Sequence, residues 1–320
     1  MTFDAAALRA LEPDFRRAPS AHNTQPWTLT YRDGHADIGW HPDYALPAGD
    51  PTGRDLRLAM GAFVECCLIV CADAGLAIEF APDHGERRIG RLIPARLRYL
   101  TPYTTEDIRH RTSHRGAYQP GPLDETVSSQ LEEVATASGA GLFRVPGRDL
   151  RALLPRADRA LFANPPAVRE LRDWLRLTPR HPRYRQDGLT AEALALGRGA
   201  ALGLRLTLAC YPLLHRAGLP RLLAAASRIP LDNDVLVLVA PSAECDEIAM
   251  GRTLLRLWLT LSIHGYATHP LSQLIDSATT RAALADTIGV DDPARLLHVA
   301  RVGRPATTPV RSHRRRGENE

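Results

Sequence analysis

The stretch "APSAHNTQPW" at residues 18–27 decides how the rest of the chain reads. A loop that only joins two elements draws on Gly, Pro, Asp or Asn for its backbone geometry and has no use for Gln and Trp beside them. Here a Pro-Ser turn, two amide side chains and a Pro-Trp pair are crowded together. They follow residues 4–17, where Ala7, Leu8, Leu11 and Phe15 share one helical face. Pro19 stops that helix, so the stretch opens a loop whose composition suits holding something. Outward from it, "WTLTY" and "RDGHADIGW" alternate around Asp33-Gly34 and predict a hairpin. Asp50-Pro51 is expected to start a long apolar helix that Gly75 ends, and "AIEFAP" and "IGRLIPARLRYL" to add short strands.

At Thr104 the pattern restarts with a short helix, an Arg-rich extended segment, a Pro-Gly turn and another helix. Residues 246–273 then parallel residues 55–80, each an apolar helix closed by Gly and followed by an extended piece. Two half-chains of similar order are expected, 1–103 and 104–320. Residues 151–232, rich in Arg, Leu and Pro, have helical signals and no counterpart in the first half, and read as an insertion. "DVLVLVAP" at 234–241 has the continuous apolar run of a central strand.

Composition removes several classes. The 320 residues are 44% hydrophobic and 24% charged, ordinary for a globular protein, and no apolar run approaches a membrane span. "MTFDAAALRALEPDF" has no basic region followed by an apolar stretch, which leads to an expected cytoplasmic location. Three of the five Cys fall in "CCLIVC" at 66–71 inside a helical pattern, which reads as buried reduced thiols rather than a disulfide framework. All 40 basic residues are Arg, a bias of the kind GC-rich genomes produce. Without Lys there is neither a Walker A phosphate loop nor a pyridoxal Schiff base. HExxH and GxSxG are absent, and "GRGAALG" at 197–203 has the wrong glycine spacing for a dinucleotide fingerprint.

"RTSHRGAY" at 111–118 is the second informative stretch. If extended, it puts Arg111, Ser113 and Arg115 on one face, two guanidinium groups with a hydroxyl between them, an arrangement suited to a phosphate monoester. An isolated R-x-S-x-R also reads as a solvated, charged edge strand. His110 and His114 have the spacing of metal ligands on a helix but no third ligand nearby, so no metal site is expected. "RSHRRR" at 311–316 suits a solvated terminus or a phosphate-contacting arm; a net charge of only +4 gives no nucleic-acid footprint.

Taken together, "APSAHNTQPW" resembles the P-S-x-x-N-x-Q-P-W loop of the nitroreductase family of flavin mononucleotide (FMN) proteins, and "RTSHR" resembles that family's R-x-S-x-R phosphate segment. In ordinary members the Arg-Ser segment precedes the loop, and each flavin lies at a dimer interface. Here the order is reversed. The first half keeps the loop, and the second keeps the Arg-Ser segment, followed by "EEVATASGAGLFRV" where the loop would stand. A fused pseudo-dimer with one complete site would look like this, and the arrangement resembles the double-length, Acg-like branch found in actinobacteria.

The resemblance implies an α+β fold with antiparallel-rich sheets flanked by helices in each half, as a monomer or a homodimer. It implies that Arg111 and Ser113 hold the FMN phosphate, helped by Arg311 or Arg314. Arg115 would lie near N1 and O2 of the isoalloxazine, where a permanent cation favours negative charge on the ring. Pro19, Ser20, Asn23 and Gln25 would lie against the ribityl chain and ring. "HPLSQ" at 269–273 nominates Ser272 and Gln273 for flavin N5, although ordinary members often have Glu-Gly there. The implied activity is hydride transfer through N5 to or from a small organic molecule, with NAD(P)H as a donor. The insertion resembles a lid that, closed, would block the nicotinamide, which implies as the alternative a non-catalytic flavin-storage or stress-response protein. Neither nucleic acid nor membrane is expected as a partner.

Overall fold

The computed structural model describes residues 3–83, 85–218 and 229–315. Residues 219–228 of the expected insertion and Arg316 of "RSHRRR" lie outside the described residues. Helix α1 (Ala5–Phe15) is capped by Asp4, whose carboxylate accepts the Ala7 N–H at 2.9 Å. Strands β1 (Trp27–Arg32) and β2 (His35–Trp40) form the expected hairpin, with Arg32 opposite His35 and Gly34 at φ 83°. The long apolar helix α2 (Arg54–Asp73) follows, then β3 (Ile78–Pro82) and β4 (Arg88–Pro94).

Two boundaries differ from expectation. Helix α2 starts at Arg54 rather than Asp50-Pro51, because Gly53 sits at φ 71° in the left-handed region and interrupts any helix coming from Pro51. Asp50 instead accepts the Leu56 N–H at 2.9 Å. The strand in "IGRLIPARLRYL" ends at Pro94, leaving Leu97 and Leu100 exposed.

In the second part, α3 (Thr105–His110) starts with a reciprocal Thr104/Asp107 capping box. Helix α4 (Glu125–Thr136) and β5 (Gly141–Pro146) follow. The segment expected as an insertion holds α5 (Leu154–Phe162), α6 (Pro165–Asp173), a short parallel pair of β6 (Leu175–Arg176) and β7 (Leu189–Thr190), α7 (Arg198–Ala209) and α8 (Tyr211–Arg216). The chain closes with β8 (Asp234–Val239), α9 (Glu247–Ile263), β9 (Ala267–Pro270), α10 (Gln273–Asp276), α11 (Ala278–Ile288) and β10 (Leu296–Gly303).

The fold is α+β, with two four-stranded antiparallel sheets of identical plan. The first runs β1-β2-β4-β3 and the second β5-β8-β10-β9, so in each the fourth strand in chain order lies between the second and third. In each, one long apolar helix joins the second strand to the third. These helices, α2 and α9, pack against each other at a glycine crossing. A Cβ on Gly61 would come within 2.1 Å of the Ile248 carbonyl oxygen, and one on Gly251 within 2.2 Å of the Leu58 carbonyl oxygen. The contact is reciprocal, each glycine meeting the carbonyl three residues before the other. Glu65, fully buried on α2, receives Arg252 at 2.8 Å and Arg256 at 2.7 Å from α9 and the Tyr99 hydroxyl at 2.8 Å. Burial without those partners would cost several kcal/mol, on the order of 3–5.

The buried, unpaired Cys66, Cys67 and Cys71 belong to this core, and burial pushes the Cys66 thiol up to about 12. No helix among the described residues is long and apolar enough to cross a membrane.

Candidate functional site

Beside the packed helices α2 and α9 lies a cavity of about 540 Å³, within the range of small-molecule sites. Leu58, Ala59 and Ala62 of α2 and Leu254 and Trp258 of α9 wall it, while Ala157 and Leu161 of α5 with Ala167 and Leu171 of α6 cover it. Pro19, Ser20 and Asn23 of the opening loop lie on its wall, as do Arg111, Ser113 and Arg115 of the second segment. So do Ser272 and Gln273 after β9, and Arg311 and Arg314 from the C-terminal arm.

Gln25 is the exception. It is 1% exposed and faces away from the cavity; its amide donates to the Gln186 carbonyl at 2.8 Å, and its Oε1 accepts the Arg315 N–H at 2.9 Å. It therefore fastens the loop to the segment around residue 186 and to the chain end. The loop needs fastening, because His22, Asn23 and Gln25 have φ of 49°, 57° and 53°, costly for residues with a Cβ. Ser20 Oγ accepts the Gln25 N–H at 2.9 Å, and Asn23 donates to the Gly188 and His313 carbonyls and accepts from Arg314 at 2.9 Å. Trp27 stacks on Phe63 of α2, centroids 4.9 Å apart. The amides and Trp of the stretch thus shape the loop, leaving Pro19, Ser20 and Asn23 on the cavity.

The 111–115 segment is extended where Ser113 bridges Thr268 of β9, and the His114 N–H donates to the Thr268 carbonyl at 2.9 Å. His114 turns away, its Nε2 3.1 Å from the Ala117 carbonyl oxygen and its ring edge-on to Tyr118. Thr112 also reaches the cavity, since a single bridge imposes less strict alternation than a ladder. His110 ends α3 and is exposed, so the two histidines do not share a helix face, and no metal-holding cluster occurs among the described residues.

Arg17, Arg111, Arg311 and Arg314 converge at the cavity, and among the described residues none of the four forms an ion pair. Burial and the Arg17 charge bring the Arg111 guanidinium down to about 10; burial, then Arg111 and Arg17, bring Arg314 down to about 9. Their Nε atoms are buried without hydrogen-bond partners among the described residues. Such a cluster, with Ser20 and Ser113 beside it, fits a phosphate dianion, which would both offset part of its charge and occupy its unused donors. Arg17 was not singled out in the sequence, although it stands just before the motif.

Nearby, Arg115 is covered and donates weakly to the Ala193 carbonyl at 3.4 Å. Burial and the Arg115 charge bring the His22 imidazole down to about 4, so it is neutral at pH 7. Another part of the wall is acidic and was not foreseen. Arg54 Nη2 lies 2.7 Å from both Asp55 and Asp276, Asp50 is adjacent, and burial followed by Asp55 pushes the Asp276 carboxyl up to about 7. His298 on β10, its ring tilted against that of Trp258 with centroids 5.4 Å apart, is brought down to about 4 by burial.

No family model matches the chain. Over 313 residues, 90% of this chain and 85% of the other, it is 28% identical to the probable NAD(P)H nitroreductase PigM of Serratia sp. (strain ATCC 39006). It is 26% identical over 312 residues, 92% of this chain and 85% of the other, to the putative NAD(P)H nitroreductase Rv3131 of Mycobacterium tuberculosis (strain ATCC 25618 / H37Rv). Among solved structures, the FMN and NADPH-dependent nitroreductase NfnB from sphigopyxis sp. strain HMH aligns with 63% of this chain and 88% of its own. That alignment has 18% identity and a TM-score of 0.37, too loose to place any residue. Over nine-tenths of its length the chain is thus related to proteins named as nitroreductases, in agreement with the paired motifs.

Proposed function

We propose that the chain is an FMN-dependent oxidoreductase with one flavin between two halves of a fused pseudo-dimer. The observation that carries this reading is the unpaired arginine cluster on a cavity of about 540 Å³. Arg17, Arg111, Arg311 and Arg314 would hold the phosphate with Ser20 and Ser113. Pro19 and Asn23 would face the ribityl chain, Arg115 the pyrimidine edge of the ring, and Ser272 and Gln273 N5. FMN, when bound, supplies hydride chemistry; the chain's residues bind it, orient it and exclude water, with no side-chain nucleophile. Asn23 contributes mainly by fixing the loop, because its amide is already bonded within the protein.

The reciprocal Gly61/Gly251 crossing and the repeated strand order support reading residues 1–103 and 104–320 as related halves, since a two-fold interface meets itself in this way. The double-length Acg-like branch, an actinobacterial source, a monomeric state and a cytoplasmic location accompany that reading. NAD(P)H, named for both relatives, is the proposed donor and a small organic molecule the acceptor.

A second reading, flavin storage without turnover, is favoured by one observation. Helix α6 is latched across the cavity by Glu170, whose carboxylate accepts the Ala48 and Gly49 N–H groups at 3.0 and 2.8 Å. The test is the absorption spectrum of the purified protein, the flavin released per chain, and anaerobic mixing with NADPH. About one FMN per chain with rapid bleaching supports the oxidoreductase, and one FMN reducible only by dithionite supports storage. A protein that stays colourless with added FMN overturns both.

A further inference from the structure

FMN carries no cationic group, yet its proposed cavity has an acidic wall. Asp50, Asp55 and Asp276 all line it. Arg54 is the only guanidinium paired with them among the described residues, and its Nη2 is divided between Asp55 and Asp276 at 2.7 Å each. The neighbouring Arg281 donates to the Ile275 carbonyl rather than to a carboxylate. Asp276 keeps 36% of its side chain accessible on the cavity side of α10, so its carboxylate is not consumed by the fold. By contrast, Glu170 on the cover has both oxygens bonded to backbone N–H groups.

A second observation is independent of these charges. His298, projecting from β10 onto the same cavity, is 8% exposed, and its Nε2 is buried without a hydrogen-bond partner among the described residues. A buried, unpaired ring nitrogen costs free energy that a bound molecule's polar group would recover. Asp55 and Arg54 are the charged groups that act on this imidazole, which places it beside the carboxylates.

We propose that Asp50, Asp55, Asp276 and His298 form the substrate subsite of this cavity, and that it selects organic molecules carrying an ammonium or amidinium group. The carboxylates, Asp276 foremost, receive the cation's N–H groups. His298 Nε2 makes a hydrogen bond to a polar atom on the same molecule. Trp258, ring to ring with His298 at 5.4 Å, gives the apolar body of the molecule a face to lie against. The inference rests on the oxidoreductase reading for calling the bound molecule a substrate; the preference for cations stands on the wall itself.

Isothermal titration calorimetry tests it on the full chain at pH 7.5, with the flavin content of the same sample measured. Three probes share one ring and one nitro group: 4-nitrobenzylamine, 4-nitrobenzyl alcohol and 4-nitrobenzoate. The amine is expected to bind about tenfold or more tighter than the alcohol, with the benzoate weakest. In Asp276→Asn the preference for the amine should fall to within about threefold. Equal affinity for amine and alcohol in the wild-type chain overturns the proposal, and so does a preference that survives Asp276→Asn. The wild-type comparison needs no variant, so a poorly folding Asp276→Asn leaves the test intact. A chain that takes up no flavin from added FMN and still prefers the amine removes the flavin reading and keeps the subsite. A flavin-loaded chain indifferent to probe charge does the reverse.

Discussion

Replacing Arg111 by Ala tests the arginine cluster most directly. Arg111 is 8% exposed, its Nη2 donates to the Arg17 carbonyl at 3.0 Å, its guanidinium lies 5.5 Å from the Trp258 ring centroid, and its Nε has no partner among the described residues. If that free edge faces the phosphate, Arg111→Ala removes one charge-assisted hydrogen bond, worth about 1.5–3 kcal/mol. The FMN dissociation constant then rises roughly 10- to 150-fold. Riboflavin has the same ring and ribityl chain without the phosphate, so its affinity should change little. The assay is quenching of flavin fluorescence on titration into apoprotein, FMN and riboflavin side by side. His110→Ala is the control, because His110 is exposed at the end of α3 and should alter neither affinity. Equal losses for FMN and riboflavin would refute the assignment, since Arg111 would then be acting through the shape of the cavity. An FMN loss below about threefold would refute it as well.

Other expectations follow from features of the fold. Gly251→Ala should lower the thermal midpoint sharply, because the added methyl meets the Leu58 carbonyl oxygen of the facing helix; an unchanged midpoint would contradict the close crossing. Asp187 is fully buried with Arg176 at 2.8 Å and Arg183 against its other oxygen, so Asp187→Ala strands a buried Arg176 and should cost about 3–5 kcal/mol in urea unfolding. Less than about 1 kcal/mol would argue against that network. Asp276 holds its proton more tightly in the fold, at about 7 against an ordinary 3.8, with Asp55, Asp50, Arg54 and Arg281 around it. Its contribution to stability is therefore present below the ordinary value and is lost as pH rises through about 7. Asp276→Asn should flatten the fall in thermal midpoint over that window, and parallel curves for the two proteins would contradict this.

What the sequence disclosed, and what it did not, separates by the range of the interactions. The Asp33-Gly34 hairpin and the apolar run that became β8 were legible because turn chemistry and alternation act over a few residues. The loop and the Arg-Ser segment were legible as local patterns, and the structure gathers all their nominated residues but Gln25 on one cavity. Gln25 was misplaced because its partners, Gln186 and Arg315, lie more than 150 residues away and nothing local announces them. The acidic wall was hidden for the same reason: Asp50, Asp276 and His298 come from three separate stretches of the chain, and Arg54 joins Asp55 to Asp276 only in the folded chain. Arg17 carried only a weak local sign, two arginines directly before the motif.

The cavity between α2 and α9 joins surfaces contributed by one polypeptide. A binding site shared between separate subunits is diluted along with them, and half of it is lost whenever the partners part. Here the tether holds both sides at a fixed effective concentration, so the site remains whole at any protein concentration at which the chain is folded. If residues 1–103 and 104–320 are the related halves proposed above, they are also free of the rule that each substitution appears twice: one can gather arginines while the other keeps the loop, and neither change is imposed on its counterpart.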